Sequence, residues 1–579
     1  MFLRKSLIFF YYLFLFILIR IKKKFIDLDY YRISIKRYGV FGLIKFYLNR
    51  DFNPSKSKSF QEFTKKNKTI WKLNKIKQGK KKYILTSFVH IPEDQICNSL
   101  VSKYIERTFK AKSIIPLINK KDIQSEIIMR SYGFKSFKYL EEPNIFSHLF
   151  VFIKSYFLLI NNKSPKDFLK LKFRDIFYGK IVSEHVIRHT GYPQINDINF
   201  SVIYNFSVAL DIDNQFSSIL KKEKYNGIIM SENQFLPCGI IYQRSLNKKL
   251  NVYARHGHPK ISIINFRKFS EVYTARAQIS KKLFRTIVKK DFNFAVKEGK
   301  KNFYKKINKG IDNVWKRESR FVYKNLKYKI HKNGICKIFK WDRKKKILLI
   351  FTHTFLDGNY VQGWRAFKDN FEWLKETLDF ASKNPQYNYL IKTHPMDSFY
   401  KKVKVKTKDF VGEYCKKFGH IKLCPEKISP KSCFELADVG VTSHGTVSLE
   451  LNALGKPCIS AGRTSWGEIV QNLKPINKNE YFKKLKNADK IEKPSKLIRN
   501  KMYIYFFIQQ SLMTLKHPLV AEFPVSRYSN RDVFWSKNIK LIKNYNYEND
   551  FFYKCFKYQV KNNLRHTINL QYKKKLKSL

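Results

Sequence analysis

The chain is short of acid, glycine, proline and paired cysteines. Its 579 residues hold 45 Asp+Glu against 115 Lys+Arg, with 21 Gly and 17 Pro. The formal charge is +70, and that imbalance invites a nucleic-acid partner. The elements that read nucleic acid are missing, however. There is no zinc-finger spacing, no RNA-recognition core motif and no basic helix with heptads, and the lysines are spread along the whole length. AT-rich codons would supply much of the Lys, Asn, Ile, Phe and Tyr, but they would favour Glu as well. An anionic partner therefore remains, such as a membrane surface, phosphates or an acidic polymer.

None of the eight cysteines forms a C-x-x-C pair. Cys415, Cys424 and Cys433 recur every nine residues without an H-x-x-x-H beside them. Structural zinc is excluded on that spacing, and the eight read as reduced thiols of a cytosolic protein. Long apolar runs are also missing. Leu7–Ile19 (LIFFYYLFLFILI) spans only ~20 Å as a helix, short of the ~30 Å hydrocarbon core. It lies between Arg4-Lys5 and a basic collar of Arg20, Lys22, Lys23 and Lys24, and no small-x-small cleavage site follows. Two readings stand: a segment that enters or lies on the cytoplasmic leaflet, or a helix packed in the core.

What is present is a large apolar fraction, 44%, with 51 Phe and 35 Tyr, enough for two or three packed domains. Periodicity divides the chain into an apolar and basic segment (1–50), a Lys/Ser-rich linker (51–80) and a first α/β domain (81–340). A helical insertion occupies 140–225 of that domain. A second α/β domain (341–480) and a helical, basic tail (481–579) follow. Strands are predicted at 82–88, 113–118, 225–230 and 250–254, then at 347–352, 387–392, 421–424, 439–442 and 457–460. Helices between them imply parallel sheets with crossover connections. The expected fold is α/β, two Rossmann-like domains in tandem.

In such sheets ligands bind beyond the carboxyl ends of the strands. In the second domain those ends read Thr352-His-Thr-Phe-Leu-Asp-Gly358, Lys392-Thr-His-Pro395 and Thr442-Ser-His-Gly-Thr446. Three histidines, His353, His394 and His444, fall at three such ends. Ser443, Gly445 and Thr446 lead into a helix start, which suits phosphate. On that helix Glu450 lies beside the buried stripe of Val447, Leu451 and Leu454. Its carboxylate needs a partner there: a Lys, a backbone N–H, or the hydroxyls of a ribose.

These elements resemble bacterial capsule and surface-polysaccharide biosynthesis proteins of the GT-B glycosyltransferase type. The resemblance rests on His353-Thr-Phe-Leu-Asp357, Phe371-Glu-Trp-Leu374, Lys392-Thr-His-Pro395, and Ser443-His-Gly-Thr446 running through Leu449-Glu-Leu-Asn-Ala-Leu-Gly-Lys-Pro457. Tyr253-Ala-Arg-His-Gly257 is a weaker echo in the first domain. The resemblance implies two domains facing across a deep cleft, with a nucleotide sugar on the second and a polysaccharide or lipid-linked acceptor on the first. Transfer would take place at the cytoplasmic face of the inner membrane, with a CMP- or UDP-linked donor and no cofactor or metal. Carried onto this chain, His394 would touch the donor phosphate and Ser443, His444, Gly445 and Thr446 would line its site. Glu450 would hold ribose, with Lys392 and Arg463 as cations. An inverting transfer also needs a general base, for which Glu232, His256 and Asp357 are candidates. A sugar-nucleotide epimerase or polyol-phosphate transferase on the same type of fold is the alternative.

Overall fold

The computed structural model describes residues 2–73, 79–89, 91–160, 164–257, 260–276, 278–311, 328–360, 365–397, 400, 403–467, 477–521, 531–543, 545–547 and 549–577. Two compact units emerge, and neither is continuous in sequence. The first comprises 1–186, 196–272 and 516–567; the second comprises 187–195, 273–515 and 568–579. Two expected boundaries are therefore corrected. Residues 273–340 belong with the second unit, and the tail is shared between the units instead of standing apart.

In the first unit β1 (Lys82–Thr86), β2 (Ser113–Asn119), β3 (Lys138–Leu140), β4 (Gly227–Met230) and β5 (Asn251–His256) run parallel in the order β3-β2-β1-β4-β5. Their continuous apolar runs, such as Ile84-Leu85 and Ile228-Ile229, are what a sheet covered on both faces demands. β6 (Lys260–Phe266), which the periodicity did not reveal, returns antiparallel against β5. Arg244, on helix Cys238–Asn247, grips the buried carboxylate of Asp213 in the helical insertion through Nε at 2.7 Å and Nη2 at 2.6 Å, and Tyr178 donates to it at 2.7 Å.

The reading of 51–80 as a linker does not hold. Lys58–Leu73 is a helix, because Phe60, Phe63 and Trp71 form an apolar stripe beneath its lysines. Phe60 and Phe63 lie 4.4 and 4.9 Å from the ring of Trp535 in the same unit. The amino-terminal segment is likewise no separate domain. Phe2–Tyr38 is one helix whose Phe16 is buried 4.8 Å from Phe152. Among the described residues no helix is long and apolar enough to cross a membrane.

The second unit holds β7 (Ile347–Phe351), β8 (Asn388–Lys392), β9 (Ile421–Leu423), β10 (Val439–Thr442) and β11 (Cys458–Ser460). All are parallel, in the order β9-β8-β7-β10-β11. The first and second units thus repeat one strand order, and in both the direction of winding reverses between the first and fourth strands. That reversal is the topological switch point, where open α/β sheets bind their ligands. In the second unit it lies between β7 and β10.

Helix Phe292–Lys309 crosses helix Lys496–Phe507 at Gly299, where a Cβ would lie 1.7 Å from the Tyr503 carbonyl oxygen. Gly299→Ala is therefore expected to destabilise the second unit by about 1–3 kcal/mol or more through overpacking, read as a lower denaturant midpoint.

Candidate functional site at the β7–β10 switch point

Because β7 sits between β8 and β10, residues leaving the three strands converge. His353 follows β7, and its ring stacks on His444 after β10, with centroids 3.9 Å apart and 14° between planes. On its other side His394, after β8, lies 5.7 Å away at 23°. The three histidines anticipated at separate strand ends form one ladder. Burial is the first cause that lowers the basicity of each ring. His394 falls to about 4, and His353 and His444 are lowered as well, first by burial and then by the neighbouring imidazoles and Arg365. All three are neutral at pH 7.

The hydrogen bonds fix where two of their protons lie. The backbone N–H of Met396 donates to His394 Nδ1 at 3.2 Å, so the neutral ring carries its proton on Nε2. Arg365 Nη2 lies 3.2 Å from His444 Nε2, which must accept. Nδ1–H of His444 then donates to Ser443 Oγ at 3.1 Å, and Ser443 donates to Asn370 Oδ1 at 3.1 Å. The ladder therefore presents an N–H donor on His394, while His444 is locked by its neighbours.

Arg365 is one residue that sequence reasoning missed. Nη1 donates to Asn370 Oδ1 at 2.7 Å, and Nη2 also donates to the Gly358 carbonyl. Asn370 is fully buried and passes its own N–H groups to the carbonyls of Thr354 and Asp357. One guanidinium thus ties the loops after β7 and β10 together. An arginine in a segment otherwise drifting towards lysine was the available signal. Asp397 was missed as well. Burial raises its carboxyl to about 6, three residues after His394.

Gly445 permits a close approach. A Cβ there would lie 2.9 Å from Thr442 Oγ1 and 3.1 Å from His353 Nε2. Thr446 is exposed, and the helix after it, Val447–Ala453, has seven residues. Ser443, Gly445 and Thr446 flank His444, the rung of the ladder that follows β10.

Other candidates lie elsewhere or are otherwise engaged. Lys392 does not face a phosphate as a free cation, because its ammonium donates to the carbonyls of Pro425, Glu426 and Ile428 at 3.2–3.4 Å. Glu450 is not left for ribose: its Oε1 lies 2.8 Å from Lys306 Nζ, and both side chains are buried. The lysine alternative is the one realised. Asp357 accepts from Tyr400 at 3.1 Å and pairs with Arg188 at 3.4 Å. Glu232 and His256 are first-unit residues. Glu232 caps the turn after β4 by accepting from the N–H groups of Asn233 and Gln234 at 2.7 and 3.0 Å, and His256 ends β5, where it is buried. Arg463, half-buried, follows β11 by three residues. All eight cysteines are free thiols, with Cys424 and Cys433 Sγ atoms 3.7 Å apart. Among the described residues no group of three or more His, Cys, Asp or Glu could hold a metal ion.

The depressed basicity of His394 has a consequence for stability. Between pH 6.5 and about 4 the unfolded ring takes up a proton that the folded ring refuses, while above pH 6.5 both are neutral. Stability is therefore expected to fall as pH drops through that window. His394→Asn should flatten the decline in melting temperature measured between pH 7.5 and 4.5.

Residues 273–469, about a third of the chain, match the model of the capsule polysaccharide biosynthesis protein family. The matched segment is similar to that family. It contains β7 to β11, the histidine ladder, Arg365 and the Lys306–Glu450 pair. No curated protein matches the chain by sequence. Solved structures with some likeness include a KpsC beta Kdo 2,7 transferase of Thermosulfurimonas dismutans. It is 14% identical over 57% of this chain and 89% of its own, with a TM-score of 0.29. A glycosyltransferase of Rickettsia africae is 10% identical over 80% and 98%, with a TM-score of 0.27. The UDP-GlcNAc 2-epimerase of Neisseria meningitidis, bound to UDP-GlcNAc, is 10% identical over 74% and 97%, with a TM-score of 0.23. At these scores none carries an argument.

Proposed function

We propose that the protein is a glycosyltransferase of capsule or surface polysaccharide synthesis. It would move a sugar from a nucleotide donor to a growing polysaccharide or lipid-linked acceptor at the cytoplasmic face of a membrane. The observation that carries the reading is the ladder of neutral histidines at the β7–β10 switch point, bound to Arg365, inside the capsule-biosynthesis segment.

In this reading the donor phosphate meets the Nε2–H of His394 and the positive field of Arg365 where the sheet opens. An acceptor hydroxyl attacks the anomeric carbon while the bond from that carbon to the phosphate oxygen breaks. The electron pair leaves with the nucleotide, and the hydroxyl proton passes to a carboxylate or imidazole. Asp357, Glu232 and His256 are the groups proposed for that proton. No metal or cofactor is assigned a step.

The direct test is nucleotide binding. CMP, UDP or CDP is expected to raise the melting temperature, since ligand at 100 times Kd stabilises by about 2.7 kcal/mol, and His394→Ala should abolish the shift. If no nucleotide moves the transition, the reading fails. With a supplied acceptor, a new glycosidic bond distinguishes transfer from phosphodiester formation or an isomerised donor.

A further inference from the structure

The first helix is apolar on all sides over Leu7–Ile19, yet among the described residues protein answers one of those sides. At 100° per residue, Phe9, Tyr12, Phe16 and Arg20 share a face. Phe9 lies 5.0 Å from Tyr156, Tyr12 lies 5.7 Å from Phe200, and Arg20 donates to the Pro143 carbonyl at 2.7 Å. The opposite face carries Leu7, Phe10, Tyr11, Phe14 and Leu18. The first four of these are 56–68% exposed.

Helix Ile145–Ile160 repeats the arrangement. It buries His148, Phe152, Tyr156 and Leu159, and it exposes Phe146 (83%), Phe150 (75%) and Phe157. The two exposed stripes adjoin, because Phe9 lies 5.7 Å from Phe10 and 5.8 Å from Phe157. Lys154, on the same face as Phe150 and Phe157, is exposed, as is Lys22 beyond the apolar run. Folded proteins rarely leave a contiguous aromatic patch of this kind to water.

We propose that the two stripes together dock on an anionic bilayer. The phenylalanines enter the boundary between headgroups and acyl chains, while Lys22 and Lys154 reach lipid phosphates. Charge favours this occupant. A second copy of the chain would bring another +70 against the patch, whereas anionic headgroups neutralise it. The geometry suits a helix lying in the interface, since neither helix is long and apolar enough to span. The inference deepens the membrane location proposed above and is independent of the transfer chemistry.

The full chain is tested by co-sedimentation with phosphatidylcholine vesicles, with and without phosphatidylglycerol. It should sediment with the anionic vesicles and be released by salt. Phe10→Glu/Phe14→Glu and, separately, Phe146→Ser/Phe150→Ser should each lower the partition by roughly a hundredfold, as losing two buried phenyl groups implies. Both variants should keep the cooperative melting transition of the wild type, which reports an intact fold whether or not a nucleotide binds. Should either misfold, Tyr11→Trp offers a second readout: its emission should shift to the blue with anionic vesicles and be quenched by brominated acyl chains. Wild-type binding by the Phe146/Phe150 variant would overturn the two-helix surface while leaving attachment by the first helix. Absence of wild-type binding would overturn both. A dimer dissociated by Phe10→Glu/Phe14→Glu, without vesicle binding, would assign the patch to a second copy and overturn the proposal.

Discussion

Replacing Arg365 by lysine is expected to lower kcat/KM for sugar transfer by about 10²–10³-fold, although the charge is conserved. The reason is geometric. Two Nη atoms of one planar group serve three acceptors: Asn370 Oδ1, the Gly358 carbonyl and His444 Nε2. An ammonium cannot reproduce that fork, because it offers a point charge on a flexible stem. Loss of the fork releases His444 and withdraws one of the two donors that satisfy Asn370 Oδ1, whose other donor is Ser443. The loops after β7 and β10 then lose their common support. The fall should appear mainly in kcat if Arg365 meets charge that develops on the leaving phosphate, and in KM if it only binds the donor. Steady-state kinetics with the donor varied makes that split. A variant within threefold of wild type would remove Arg365 from the machinery.

The histidines were legible from sequence because a parallel strand must end somewhere, and small polar residues with a histidine after an apolar run mark that place. The strand order β9-β8-β7-β10-β11 then does the rest by setting His353 between His394 and His444. Arg365 was not legible, since its partners sit on the loops after β7 and β10, and no periodicity encodes such a closure. The lysine bias of the chain hid other features. It made 58–73 read as a linker, although Phe60, Phe63 and Trp71 keep a helical stripe. It also gave Lys392 the look of a free cation, when three carbonyls already share its ammonium. The unit boundaries were hidden for a different reason. Lys496–Phe507 packs on Phe292–Lys309, and a contact across some two hundred residues leaves no local trace.

Glu450 shows how far such a reading can go and where it stops. The helical wheel put its carboxylate at the buried edge of Val447–Ala453 and required a partner, but it could not choose among ribose, lysine and a backbone N–H. The structure supplies Lys306, 144 positions earlier, with Nζ 2.8 Å from Oε1 and side chains 9% and 5% exposed. The ammonium also lies 5.9 Å from the ring centroid of Phe506. Removing either partner strands a charge in the interior. Glu450→Gln and Lys306→Met are therefore each expected to destabilise the second unit by about 3–5 kcal/mol. At roughly 2–4 °C per kcal/mol, this corresponds to a melting transition about 10 °C lower. Changing both residues to apolar ones of similar volume should recover most of the loss, because no charge is then left unpaired. Nucleotide affinity separates the pair from the ribose role. Measured well below the transition, it should be unchanged in Glu450→Gln if the carboxylate serves Lys306. A large loss of affinity at unchanged melting temperature would return Glu450 to the donor site.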